Sequence, residues 1–149
     1  MSILFINGSP NKNGNTTRMA NALMNGKDYR TLHLVDYRLY GYGQNFADDQ
    51  FAEILEGMKE ADTVVIGSPV YWHSMCGLIR NLIDRFYGPV SQGELGGRKF
   101  VFLFQGAAPE KWMLERAEYT MNRFARMYGM EYVGMATNEA EAKKLSEKI

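Results

Sequence analysis

Cysteine is nearly absent from this chain. The single one, Cys76, excludes an internal disulfide and any zinc or iron–sulfur site built from several cysteines of one chain. Excess charge is missing too: 17 Lys and Arg balance 17 Asp and Glu, and no basic run stands out. That balance argues against nucleic acid as the main partner. No apolar run approaches the ~18 residues that mark a membrane-crossing helix. The N-terminus shows no basic flank followed by an apolar core and a cleavage site. A cytoplasmic protein with neither a membrane nor a nucleic-acid partner is the expectation. Repeats, linkers and low-complexity segments are lacking as well. The 149 residues, 46% of them hydrophobic, fit one domain spanning 1–149, large enough to fold without a metal or disulfide.

What is present is an alternation of apolar runs and helical periodicity. "SILFIN" before Gly8 reads as a buried strand. A helical pattern over Asn15–Asn25 puts Ala20, Leu23 and Met24 on one face, with Gly26 as its stop. "YRTLHLVDY" predicts a second strand, with Leu32 and Leu34 on one face and Tyr29, His33 and Val35 on the other. A second helix follows over "DDQFAEILEGMKEAD", capped by Asp48 or Asp49, and "TVVIG" is a third strand. After a loop, Leu78, Ile79, Leu82, Ile83 and Phe86 mark a third helix that Gly88-Pro89 ends. "KFVFLFQ" is a fourth strand, and Trp112, Met113, Ala117, Met121, Phe124, Ala125 and Tyr128 line a fourth helix. "MEYVGMAT" and "EAEAKKLSEKI" supply a fifth strand and a charged terminal helix. Five such alternations with short connections imply an α/β fold. The expected form is a three-layer, flavodoxin-like sandwich whose parallel sheet has the order 2-1-3-4-5.

In that order ligands sit beyond the carboxyl ends of strands 1 and 3, where the winding reverses. The two most unusual loops, "GSPNKNGNTT" and "GSPVYWHSM", follow those strands and would face each other. The first ends at a helix start, where unpaired N–H groups and the helix dipole favour an anion. Ser9, Asn11, Asn13, Asn15, Thr16 and Thr17 add neutral donors, and Gly14 lets the backbone close. Asn15 stands where a Walker lysine would be required, and G-x-G-x-x-G is absent. A receiver-type magnesium site also fails, because Asn7-Gly8 and Gly67-Ser68 occupy the places of its carboxylates. Such a loop suits a terminal monophosphate held by hydrogen bonds. The bland alternative is an Asn/Gly turn before an ordinary helix. In the second loop Tyr71 and Trp72 suit a planar heteroaromatic ring, with backbone N–H groups from Val70 to His73 for its polar edge. They could equally cap the core. A ring at one end and a monophosphate at the other describe flavin mononucleotide.

Together, "GSPNKNGNTT" and "GSPVYWHSMCGLIRNLIDRF" resemble the NAD(P)H-dependent FMN reductase-like family of flavodoxin-fold oxidoreductases. That family carries G-S-x-[RN]-x-x-[GS]-[NS]-[ST] and [ST]-P-x-Y-[WFH], the latter followed by a helix ending I-D-R, here Ile83-Asp84-Arg85. The resemblance implies FMN as cofactor and NADPH or NADH as electron donor. It places Ser9, Asn11, Asn15, Thr16 and Thr17 at the phosphate and Pro69, Val70, Tyr71 and Trp72 at the ring. Gln105, Gly106 and Ala107 fall in the family's variable third loop. The implied reaction passes hydride from NAD(P)H to FMN and then electrons to a small acceptor such as a quinone, a nitro- or azo-aromatic, or a flavin. No protein acid or nucleophile is required, and His73 is a candidate proton donor only. A homodimer or higher homo-oligomer is also implied.

A flavodoxin-type electron carrier and a non-enzymatic FMN-binding protein remain alternatives, although zero net charge gives a docking carrier little support. Many close relatives carry several cysteines after strand 2 for an iron–sulfur cluster or redox pair. Here "DYRLYGYGQNF" has none, which leaves the electrons to flavin alone. Its Tyr37, Tyr40, Tyr42 and Phe46 suit either a lid or contact surface, or a loop folded back on its own domain. His33 and Cys76 are expected to be structural, and Asp84 and Arg85 to form an ion pair or helix-end contact. Lys12, Arg38, Arg80 and Lys111 are the candidates to meet a 2′-phosphate.

Overall fold

The computed structural model describes all 149 residues. Its elements run β1 (Ile3–Asn7), α1 (Asn15–Met24), β2 (Arg30–His33), α2 (Phe51–Glu60), β3 (Thr63–Tyr71), β4 (Ser74–Met75), α3 (Gly77–Asp84), β5 (Lys99–Gln105), α4 (Lys111–Met127), β6 (Glu131–Ala136) and α5 (Glu139–Leu145). The sheet order is β2-β1-β3-β5-β6, all parallel, with the short β4 antiparallel to β3. Setting β4 aside, the five long strands follow the flavodoxin-like 2-1-3-4-5 order; the sixth strand is an addition to the expected five.

The pleat sends alternate residues to opposite faces, and two apolar layers result. Ile3, Phe5, Val65, Val101 and Leu103 pack on α1 and α5. Leu4, Ile6, Val64, Ile66, Phe100, Phe102 and Phe104 pack on residues of α2, α3 and α4. Covering both faces explains why these strands read as continuous apolar runs. No helix is long and apolar enough to cross a membrane.

Several boundaries differ from the sequence reading. α3 ends at Asp84, with Arg85 as its C-cap, instead of running on to Gly88-Pro89, and the two strand boundaries are set by pairing. β2 stops at His33 because its partner β1 stops at Asn7; the chain then turns through a 3-10 segment, Leu34–Asp36, which buries Leu34 but leaves Val35 exposed. The segment expected to be a loop after Gly67 continues β3. Ser68 and Pro69 pair with β5, and Val70 and Tyr71 pair with β4. At α2 the N-cap position belongs to Gln50 rather than Asp48 or Asp49, although Asp49 Oδ1 accepts the Phe51 N–H at 2.9 Å. α1 ends on Asn25 and Gly26, both at positive φ.

Arg85 and Asp84 do not pair with each other. Arg85 reaches back to Asp49 at 2.6 Å, with both side chains largely buried, and lies over the Phe51 ring. Asp84 takes Arg80 at 3.3 Å. The tyrosine-rich loop folds back on its own domain. Tyr40 packs on Phe46 at 4.6 Å, its carbonyl accepts from Arg85 at 3.0 Å, and its hydroxyl donates to Asp48. Tyr42 and Phe46 keep exposed faces.

Candidate functional site

The crevice forms where β1 and β3 end side by side. The Gly8 N–H donates to the Gly67 carbonyl at 2.9 Å, and Cys76, buried at the start of α3, donates its thiol to the Gly8 carbonyl at 3.3 Å. Cys76 is therefore a packing residue with a structural hydrogen bond. A side chain at either glycine of this seam would crowd its neighbours. A Cβ on Gly67 would lie 2.5 Å from Thr16 Cγ2, and one on Gly8 would lie 2.4 Å from Ile79.

The β1–α1 loop is shaped by its own short polar side chains. Asn7 Oδ1 accepts the Ser9 N–H at 3.0 Å, Ser9 Oγ the Asn11 N–H at 3.1 Å, and Asn11 Oδ1 the Asn13 N–H at 3.2 Å. These successive turns mimic backbone turns. The other end of the Asn7 amide meets His33 Nδ1 at 3.1 Å, so His33 is structural as expected. Thr17 Oγ1 donates to the Lys12 carbonyl at 2.7 Å, and Asn15 Oδ1 accepts from Arg18.

One predicted phosphate ligand is left over. Thr16 is 1% exposed, and its Oγ1 is the only buried side-chain N or O atom in the chain with no hydrogen-bond partner. It sits on the first turn of α1, whose Gly14 N-cap offers no side-chain acceptor. The N–H groups of Asn15, Thr16 and Thr17 have no partner in the chain either. Buried hydroxyls are rarely left unpaired, and a helix N-terminus with free donors suits an anion. The residues present thus fit a bound phosphate group. Thr16 is the side chain available to it; Ser9, Asn11 and Thr17 spend their hydrogen bonds largely on holding the loop.

Across the crevice, β3 and β4 form a two-residue hairpin. Ser68 Oγ accepts the Cys76 N–H at 2.9 Å and locks its base. Pro69 is buried and Val70 half-buried, Tyr71 is 46% exposed and Trp72 91% exposed. Trp72 does not cap the core. The turn residues Trp72 and His73 have φ of 48° and 67°. Gly106, after β5, abuts this hairpin, since a Cβ there would lie 2.9 Å from Val70 Cβ. The third loop therefore does stand beside the second, with Gln105 half-buried and Ala107 exposed.

Sequence reasoning missed part of the surround. Helical spacing places Trp112 in the apolar stripe of α4, yet it is 49% exposed and its ring stands 6.1 Å from that of His73. Val70, Trp72, His73, Pro109, Glu110 and Met113 help to line a cavity of about 350 Å³ beside the crevice. A groove of about 500 Å³ between α3 and α4 contains no residue of either loop. The candidates for a 2′-phosphate are all engaged with carboxylates: Lys12 with Asp36, Arg38 with Asp48, Arg80 with Asp84 and Lys111 with Glu115. No three His, Cys, Asp or Glu side chains gather to hold a metal ion.

Comparison with known proteins identifies the family. The NADPH-dependent FMN reductase family profile matches residues 1–142. An iron-sulfur flavoprotein of Archaeoglobus fulgidus is 36% identical over 98 residues, which cover 57% of this chain and 48% of the relative. A second iron-sulfur flavoprotein of that organism is 29% identical over 154 residues, covering 91% of this chain and 67% of the relative. The chain thus spans about half to two thirds of the length of these relatives. The structure of the Trp repressor binding protein from Bacillus subtilis superimposes with a TM-score of 0.77 at 17% identity, over 99% of this chain and 98% of that one. At that identity the likeness shows the fold alone. The two loops, the parallel sheet and the match over nearly the whole chain converge: the chain belongs to the NADPH-dependent FMN reductase family, flavodoxin-like proteins with FMN as their cofactor.

Proposed function

We propose that this chain is an NAD(P)H oxidoreductase that holds FMN across the crevice between the β1–α1 loop and the β3–β4 hairpin and reduces a small acceptor. The acceptors in view are a quinone, a nitro- or azo-aromatic, or free flavin. The orphaned Thr16 hydroxyl carries the reading: it is buried, unpaired and placed among three free N–H groups at the start of α1. Bound FMN supplies the two-electron link between donor and acceptor.

The chain's own residues do the rest. The α1 N-terminus offsets phosphate charge without a lysine, and Thr16 donates its hydroxyl hydrogen to it. Pro69, Val70 and Tyr71 form one wall for the ring, fixed from behind by the Ser68–Cys76 hydrogen bond. Gly106 stands against Val70 and extends the same wall. Preorganised backbone, rather than a catalytic acid, is what such a site contributes.

The test is a fluorescence titration of the apo-protein with FMN, followed by anaerobic addition of NADPH or NADH with absorbance recorded. Saturable binding and bleaching of the flavin band are expected, and the faster nucleotide names the donor. Binding without bleaching by either nucleotide would make the chain a carrier or flavin-binding module. An absence of binding would overturn the reading altogether.

A further inference from the structure

The phosphate end of the crevice is short of positive charge. A phosphate monoester carries about −1.5 to −2 at pH 7, whereas a helix N-terminus supplies the equivalent of about +0.5. The Thr16 hydroxyl and the backbone N–H groups around it are neutral donors. Between Asn7 and Met24 the chain has two full positive charges, Lys12 and Arg18. Lys12 is engaged with Asp36 at 2.7 Å. Arg18 forms no ion pair with any carboxylate of the chain.

In the free chain the place of Arg18 is unfavourable. Its own N–H closes the first turn of α1 on the Gly14 carbonyl at 3.1 Å, so it directly follows the three residues whose N–H groups are free. A cation there opposes the helix dipole, and the first turn holds no acidic residue to offset it. The guanidinium nevertheless turns back toward the helix start. Its Nη1 donates to the Asn13 carbonyl at 3.4 Å, and its Nη2 donates to Asn15 Oδ1. These two residues flank Gly14, the N-cap. A guanidinium has five N–H donors in a rigid plane, so donors remain after these two contacts. A full positive charge is thus held beside the open donors and the orphaned Thr16 hydroxyl.

We infer that Arg18 is a specificity-determining residue for the cofactor: its guanidinium supplies the counter-charge that the phosphate loop lacks, and so favours the flavin monophosphate over riboflavin. The inference rests on the FMN reading. Thr16 and the N–H groups of Asn15, Thr16 and Thr17 give the phosphate its hydrogen bonds, and Arg18 gives it the charge they cannot. Lys12 stays with Asp36. In the free chain the guanidinium and the helix end repel each other. A bound dianion is attracted by both, so the ligand relieves the repulsion as it binds.

The experiment titrates the full flavin-free chain with FMN and with riboflavin, at low and at high NaCl, following flavin fluorescence. Arg18→Gln should weaken FMN binding about tenfold at low salt while leaving riboflavin binding within about twofold of wild type. The FMN loss should shrink at high salt, where the Debye length falls to about 3 Å at 1 M. Arg18→Glu should weaken FMN further, yet raise the thermal midpoint of the flavin-free chain, because an acid near a helix start is favourable. Lys12→Gln is the comparison, and it should cost FMN affinity no more than about threefold, since an exposed ion pair already holds that charge. FMN affinity within twofold of wild type in Arg18→Gln would overturn the inference. So would an equal loss of FMN and riboflavin, which would make Arg18 a loop-positioning residue, or a loss in Lys12→Gln as large as that in Arg18→Gln. Where riboflavin binds too weakly to measure, salt decides: an FMN loss that does not shrink at high salt would overturn the inference. A wild type that binds no FMN would overturn the functional reading first and this inference with it.

Discussion

The two loops that meet at the crevice are built on opposite plans. The β1–α1 loop is short side chains bonded to the adjacent backbone, and it leaves one buried hydroxyl without a partner. The β3–β4 hairpin is bulky aromatics on a strained turn, largely exposed and locked at its base by a single serine. The first plan fixes donors around a small charged group. The second presents flat surfaces that a ring can cover. Position alone does not distinguish them, since both follow parallel strands at the same end of the sheet; the side chains do. A third segment, residues 37–50, serves as a contrast, because the buried Arg85–Asp49 pair pins it and its polar groups are satisfied.

That contrast gives the largest expected effect. Arg85→Ala leaves the Asp49 carboxylate buried with only backbone donors, and should cost about 3 kcal/mol or more. FMN affinity should change far less than stability if the segment is scaffold alone. Urea denaturation and an FMN titration of the same variant check both halves, and a large affinity loss at small stability cost would erase the contrast. The same pair predicts a pH dependence. The Arg85 guanidinium, chiefly through its hydrogen bonds, holds the Asp49 carboxyl at about 2. A depressed carboxyl stabilises the fold above its unfolded value, and that contribution is lost as pH falls through the folded value. About 2 kcal/mol should therefore disappear between roughly pH 4 and pH 2. Thermal midpoints recorded through that window should fall in the wild type and flatten in Asp49→Asn.

The seam between the two plans is next. Gly67→Ala places a methyl 2.5 Å from Thr16 Cγ2 and 2.8 Å from the fully buried Phe5 ring. Overpacking of this kind costs about 1–3 kcal/mol. Because the strain falls on Thr16, FMN affinity should drop along with stability. A stable variant with unchanged FMN affinity would show that the loops are independent.

Much of this was legible in the sequence, and the misses share a cause. Runs such as "TVVIG" and "FVFLF" announce strands because both faces are covered, so the five long strands could be read from pattern, and their order followed from the βα alternation and the flavodoxin-like precedent. What pattern cannot carry is tertiary pairing. β2 ends where β1 ends, and β3 continues because β4 and β5 supply partners beyond Gly67. The hairpin lacked its usual signal, since Trp-His stands where Asn-Gly would have marked the turn. Arg85 and Asp49 lie 36 positions apart with no local hint of pairing. At the site, six polar residues of the first loop looked equivalent as ligands. In the folded chain Ser9 and Asn11 spend their oxygens on the loop itself while Thr16 does not. Trp112 read as core because a half-exposed ring fits the same helical spacing.

Thr16 gives the smallest expected change and the sharpest one, because its two consequences have opposite signs. An unpaired buried hydroxyl costs about 1–3 kcal/mol in the free protein, and valine has nearly the same shape without that cost. Thr16→Val should therefore raise the stability of the apo-protein by about 1 kcal/mol while weakening FMN binding about tenfold, the equivalent of one hydrogen bond to a charged group. Thr16→Ser reverses the trade. It keeps the hydroxyl but loses the methyl that packs toward Gly67, so affinity should persist while stability falls. Apo denaturation curves and FMN titrations of the two variants form a crossed pair. If both variants lose stability and neither loses affinity, the hydroxyl is an internal defect and not a ligand. If the signs cross as expected, the first loop gives up some stability in the free chain to keep a donor open for the phosphate.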